Sequence, residues 1–399
     1  MVFFGPRPRG RSWALFQTAI VVILFIFLQK LLSIFAWADH TYGNVRWYYD
    51  VGLLMHERGF FNIWTSYPPV FPALLYALSA FQRELVGFIN FWKILNVLLV
   101  AGIAYVIFKI LEEKGRQRAL LATFGFVLIN ATYNSRLTIG LYMDQFDYLP
   151  TFLMLVSLYL LIKRRDALSA VFSGIGTMTK VFPGVILLIA LFTLDKRQKI
   201  VYLAVFAVTC LVILLPYFIG GMEPLISLYN YSASRDAWET VWHYPQIKFP
   251  PPTETEPLLS PFRSDARPYA WLGWLGAASM LACMIWQRKG RAGASLPQQA
   301  LCLLILFLIF SKGVSSYFVF WIFPLFFLCY RPPVAFVLCA VFLLVGNIEF
   351  FVDTYWLSIW TRHILFIALL LQQIIAQGGI RGYSDRRSTH GEAKQSVYP

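Results

Sequence analysis

The chain has 399 residues, 58% of them hydrophobic and only 14% charged, with a formal net charge of +14. A soluble domain of this size needs far more polar surface, so the composition excludes a soluble enzyme and describes a protein that crosses a membrane repeatedly. The positive charge does not point to nucleic acid, because the basic residues lie in short clusters between apolar runs, which is the topological bias of an integral membrane protein.

In chain order, the first apolar run extends from Trp13 to Ala38. It exceeds the roughly 20 residues that cross a bilayer and lacks a small-residue cleavage site, so it is expected to stay as an anchor. Spans are expected near 13–37, 87–110, 118–139, 148–163, 167–182, 184–195, 200–219, 268–287, 296–311, 317–330, 334–350 and 359–377. These twelve crossings define an all-α, polytopic transmembrane protein. The apolar segment 70–82, after "SYPPV", has about 13 residues and is read as an interfacial or re-entrant helix on the outer face.

The basic clusters set the expected orientation. They are Arg7/Arg9/Arg11, Lys109/Lys114/Arg116/Arg118, Lys163/Arg164/Arg165, Lys196/Arg197/Lys199, Arg288/Lys289/Arg291, Arg331, and Arg381/Arg386/Arg387/Lys394. Twelve crossings put all of them, and both termini, in the cytoplasm. Residues 1–377 then form a single transmembrane domain, and the polar tail 378–399 is cytoplasmic and expected to fray. Two long loops, 38–86 and 220–267, face outward.

Cysteine and histidine carry little signal. Cys210, Cys283, Cys302, Cys329 and Cys339 lie in or beside apolar runs at no metal-like spacing, and the five histidines are scattered. No metal and no other cofactor is expected.

The outer face gathers unusual chemistry for so apolar a chain. The turn "GLYMDQFDYLPTF" contributes Asp144 and Asp147, and the first loop contributes Asp39, Arg46, Tyr49, Asp50, His56, Glu57 and Arg58. The large loop adds Arg235, Asp236, Glu239, Trp242 and His243, and short turns add Lys180 and Lys312. Acids and bases among aromatic rings suit a saccharide: rings pack on sugar faces, carboxylates bind or deprotonate hydroxyls, and Arg or Lys holds a phosphate.

Plainer readings stand beside these. Asp39, Glu57, Arg58 and Asp236 also fit solvated loop charges, and Lys180 and Lys312 fit lysines snorkelling from helix ends. Asp147 is placed to cap the helix that starts near Tyr148, with Pro150 in its first turn. Much of the Trp and Tyr content fits an interfacial belt.

Five segments in order carry a resemblance: "NVRWYYDVGLLMHERG", "SYPPVFPALLYAL", "DQFDYLPTFLMLVSLYLLIKRRDALSAVFSGIGTMTKVFPGVILL", "SRDAWETVW" and "SKGVSSYFVFWIFPLFF". Together, over roughly residues 13–330, the chain resembles the polyprenol-phosphate-sugar-dependent GT-C glycosyltransferases, in the bacterial mannosyltransferase-like branch. The resemblance implies a multi-span helical fold with membrane-parallel helices in the long first external loop. It also implies a carboxylate base in or near that loop, a lipid-phosphate sugar donor, and a lipid or glycan acceptor entering from the non-cytoplasmic side of a bacterial plasma membrane.

This chain departs from that pattern in three places. Asn44 stands where the family's first loop often carries an acid, and an amide is no base near neutral pH. "DQFD" replaces a "GQFD"-like turn, so Asp144 is an extra acid, and "SSYF" replaces an "SPQY"-like run. The expected activity is inverting hexosyl transfer, with mannose foremost and a carboxylate as base: Asp50 first, Asp144 second, Asp39 third. Arg46, Lys180 and Lys312 are expected to bind the donor phosphate. Asp147, Tyr49, Glu239, His243 and Trp242 are expected to bind the acceptor. The expected partners are that donor, the acceptor and membrane lipids. The rival is a transporter or flippase of a lipid-linked sugar, although no internal repeat of the kind common in transporters is evident.

Overall fold

A chain this apolar meets its backbone hydrogen-bonding needs in hydrocarbon by folding as helices, which pair each N–H and C=O within one segment. A computed structural model describes residues 43–63, 65–133, 146–234, 270–289, 294–311, 316–351, 357 and 359–375. Among these there is no strand. The helices are α1 (Gly43–Arg58), α2 (Val70–Phe81), α3 (Leu85–Leu111), α4 (Arg116–Tyr133), α5 (Tyr148–Ile162), α6 (Asp166–Thr177), α7 (Val185–Thr193), α8 (Lys196–Gly220), α9 (Glu223–Ser234), α10 (Ala270–Lys289), α11 (Leu296–Phe310), α12 (Phe323–Cys329) and α13 (Pro332–Phe351). A last apolar helix, α14, runs Ile359–Ile375. The expected span 13–37 lies outside the described residues.

Among the described residues, two helical stretches are long and apolar enough to cross a bilayer by themselves, Leu85–Lys114 and Lys196–Gly220. The other apolar helices are shorter. At 1.5 Å per residue, the nine residues of α7 rise only about 14 Å against a core of about 30 Å. The expected continuous helix 317–330 is likewise broken, into a 3₁₀ segment Ser316–Trp321 and the seven-residue α12. Pro324 sits in the first turn of α12, where its missing N–H costs nothing, so the helix starts there instead of continuing from before it.

The expectation for 70–82 is met in its length. The 12 residues of α2 rise about 18 Å, well short of a crossing. Instead α2 pairs with α1. Val45, Tyr48, Val51 and Met55 recur at helical spacing along one face of α1 and are buried against Phe71, Leu75 and Leu78 of α2 and Phe88 and Trp92 of α3. Phe146 completes this cluster, its ring 4.0 Å from that of Phe71. The first-loop helices are thereby seated on the residue next to Asp147.

The bundle has two chemically different ends. The turns holding Glu113/Lys114, Arg164, Thr193/Leu194 and Ser295/Leu296 converge around one cavity, and Lys163 ion-pairs with Glu113 there. Arg118 donates to the carbonyl of Tyr330 at 3.3 Å, bringing the start of α13 to the same end. Buried between α5, α6 and α8, Ser157 and Ser169 each donate to the other's carbonyl at 2.8 Å, and the Tyr202 hydroxyl lies 3.2 Å from Ser169 Oγ. Such interhelical hydrogen bonds fix the helix register where hydrocarbon supplies no alternative partner.

Where α1 crosses α2, a Cβ on Gly52 would lie 2.6 Å from Ser79 Oγ and 2.9 Å from the Leu75 carbonyl oxygen. The Leu75 oxygen is backbone and cannot turn aside. Gly52→Val is therefore expected to separate the two helices at a cost of about 1–3 kcal/mol. A lowered thermal midpoint of the detergent-solubilised protein checks this, and an unchanged midpoint contradicts the packing.

Candidate functional site

Opposite the basic turns, three distant segments meet on one carboxylate oxygen. Asp147 Oδ1 accepts a hydrogen bond from Lys180 Nζ at 2.5 Å and another from Trp321 Nε1 at 2.6 Å. The Asp147 side chain is 4% exposed and that of Lys180 17%. A charge buried in an apolar bundle is costly unless it is paired and hydrogen-bonded, and here one acid carries both contacts.

Aromatic rings enclose the pair. Trp321 stacks between Phe182, with centroids 4.1 Å apart, and Phe318, at 4.2 Å. Lys180 Nζ lies 4.3 Å from the Phe318 centroid and 4.8 Å from that of Trp321. Cation–π attraction strengthens when the cation is withdrawn from water, so the rings hold the ammonium as well as shield it.

Local backbone chemistry brings each group into position. After α6 ends at Thr177, the Lys180 N–H bonds back to the Gly176 carbonyl at 2.9 Å, and the 3₁₀ turn Phe182–Gly184 follows. Gly176 permits this turn, since a Cβ there would stand 2.9 Å from Pro183 Cβ and 3.3 Å from Leu153 Cβ. The Val70 N–H donates to the Met178 carbonyl at 3.0 Å, tying the "YPP" start of α2 to the Lys180 turn. Phe146, beside Asp147, is buried with the first-loop helices.

The structure brings Asp147 and Lys180 together, although the sequence assigned one to the acceptor and the other to the donor phosphate. The expected capping role of Asp147 is not found. It stands at the N-cap position of α5 with helical φ and ψ, and its side chain makes no cap hydrogen bond. The carboxylate is instead turned to Lys180 and Trp321, a stronger pairing than a neutral N–H offers.

Arg46 and Asp50 lie elsewhere. They pair loosely with each other at 3.9 Å, with side chains 70% and 56% exposed, on the α1 face turned away from Val45, Tyr48 and Phe146. The Tyr49 hydroxyl donates to the carbonyl of Arg83, and His56 stacks on Tyr76 at 4.0 Å, so both are engaged in packing the first loop. Asp39, Asp144, Glu239, Trp242, His243 and Lys312 lie outside the described residues. Trp321 was not singled out from the sequence. It sits in the apolar run "YFVFWIFPLFF", where no charge marks it, and the only available hint was an indole N–H that needs a partner when buried.

The sequence model described as Glycosyltransferase family 87, a GT-C-like membrane glycosyltransferase family, matches residues 64–311. The match takes in the "YPP" start of α2, Asp147 and Lys180. No curated protein matches the chain.

Removing one member of the buried pair leaves the other without its counter-charge. Lys180→Met and Asp147→Asn are each expected to cost about 3–5 kcal/mol. The Lys180→Met/Asp147→Asn double variant should cost less than the two single changes added together. A double-mutant cycle on thermal stability in detergent checks this, and strict additivity contradicts the pairing.

Proposed function

The chain belongs to glycosyltransferase family 87, and from that membership we propose that it moves a hexose, mannose foremost, from a polyprenyl phosphate to a lipid or glycan acceptor. The observation that carries the site is the convergence of Asp147, Lys180 and Trp321 at the end of the bundle away from the basic turns. With the basic turns in the cytoplasm, this end faces the non-cytoplasmic side, where the first loop also lies.

Lys180 is the donor-phosphate ligand in this reading. An ammonium has three N–H donors, and one of them bonds Asp147. Asp147 holds Lys180 in place through that bond, so it acts as a positioning residue. Lys312, nine residues before Trp321 in the chain, is the second cation, because the Asp147–Lys180 pair is neutral as a whole and a phosphate monoanion needs further positive charge.

The base is assigned to Asp144, ahead of Asp50 and Asp39. Asp144 is three residues from Asp147 in the sequence, whereas Asp50 is on the outward face of α1. In the transfer, the base takes the proton of the acceptor hydroxyl, and that oxygen forms a bond to the anomeric carbon. The bond from carbon to the phosphate oxygen breaks on the opposite face, its electron pair leaving with polyprenyl phosphate, and the configuration inverts. A phosphate leaving group needs little protonation, so one base and cationic clamps suffice.

The test incubates purified protein in lipid with a panel of polyprenyl-phosphate sugars and acceptor membrane extract, and measures polyprenyl phosphate released. Release is expected from one hexose donor. It should fall about 10²–10⁴-fold in Asp144→Asn at undiminished expression and persist in Asp50→Asn. Full activity in Asp144→Asn removes the base assignment. Release from no donor removes the donor class and favours a transporter of the same lipid.

A further inference from the structure

The end of the bundle remote from Asp147 carries a feature that sugar transfer does not use. Four inter-helix turns line an open cavity of about 300 Å³, at the lower end of the roughly 300–1,000 Å³ typical of ligand pockets. Its wall is apolar, with Ile110, Leu161, Ile162, Leu194 and Leu296, and its cations are Lys114 and Arg164. Glu113 also lines it but is neutralised by Lys163. Neither Lys114 nor Arg164 makes an ion pair among the described residues.

The backbone at Arg164 supplies a second, independent observation. Arg164 has φ 58° and is the one non-glycine residue at positive φ among the described residues. It follows the end of α5, where the Arg165 N–H bonds back to the Leu160 carbonyl at 2.9 Å. Glycine is the ordinary occupant of such a helix-terminating position, because a Cβ in the left-handed region crowds the following carbonyl oxygen at a cost to the fold. An arginine kept at that cost, with its side chain on the cavity, points to a role for the guanidinium outside the fold.

We propose that this cavity binds the phosphate of an anionic phospholipid from the adjoining leaflet, with Lys114 and Arg164 holding the phosphate and the apolar wall receiving the start of the acyl chains. The apolar lining distinguishes a lipid from a free anion. A guanidinium gives two parallel N–H bonds to a phosphate and an ammonium adds a point charge. Basic pockets between membrane helices on the cytoplasmic side bind headgroups in this manner. The site is separate from the sugar-transfer centre and does not depend on the donor assigned to it.

The test measures thermal midpoints of the full chain in phosphatidylcholine nanodiscs, with and without phosphatidylglycerol, and with inorganic phosphate as the soluble arm. Phosphatidylglycerol should raise the wild-type midpoint by mass action, and inorganic phosphate should not. The shift should be lost in Lys114→Ala/Arg164→Ala and kept in Lys196→Ala/Arg197→Ala, which removes equal charge from outside the cavity. Arg164→Gly should raise the midpoint in pure phosphatidylcholine by relieving the backbone, while reducing the phosphatidylglycerol shift. An equal shift in the cavity double variant, an equal loss in the control double, or a shift produced by inorganic phosphate alone overturns the proposal.

Discussion

One carboxylate oxygen organises one end of the helical bundle. Asp147 Oδ1 joins α5, the turn after α6 and the 3₁₀ segment before α12 through Lys180 and Trp321. In hydrocarbon an isolated aspartate or lysine is very costly, and a pair with an added N–H donor is tolerable. The three segments therefore have a strong reason to meet at this point and nowhere else. The first-loop helices inherit their position from it, since Phe146 is buried among them and Val70 bonds to the Met178 carbonyl.

The two ends of the bundle then divide the chemistry. At one end lie the buried pair and its aromatic enclosure, and at the other the basic turns around Lys114 and Arg164. Between the ends, Ser157, Ser169 and Tyr202 satisfy each other across helices. In the proposed reading, the reacting phosphate meets Lys180 at one end and the phosphate of a membrane lipid is held at the other.

Much of the helical framework was legible because its signals are local. Apolar runs flanked by Lys, Arg and Pro marked α3 as 87–110 and α8 as 200–219, against the observed Leu85–Leu111 and Lys196–Gly220. The shortness expected of the segment 70–82 is found in the 12 residues of α2. The run 317–330 misled because unbroken hydrophobicity carries no information about where a 3₁₀ segment gives way to an α-helix. The site was legible only in pieces. Lys180 and Asp147 were marked by charge but separated by role, because their contact spans 33 residues and hydropathy says which groups are buried, not which meet. Trp321, 174 residues from Asp147, carried no mark at all. Asp147 misled for a related reason: the position before a helix favours a cap on local grounds, and a distant ammonium outcompeted the local N–H groups.

The most direct test of this account is a structure of the protein in a lipid nanodisc with its polyprenyl-phosphate product bound. The account predicts a phosphate oxygen within about 4 Å of Lys180 Nζ, the reach of an ion pair, with Asp147 and Trp321 still joined behind it. A phosphate held away from Lys180, with the Asp147–Lys180 pair closed and unchanged, would contradict the account.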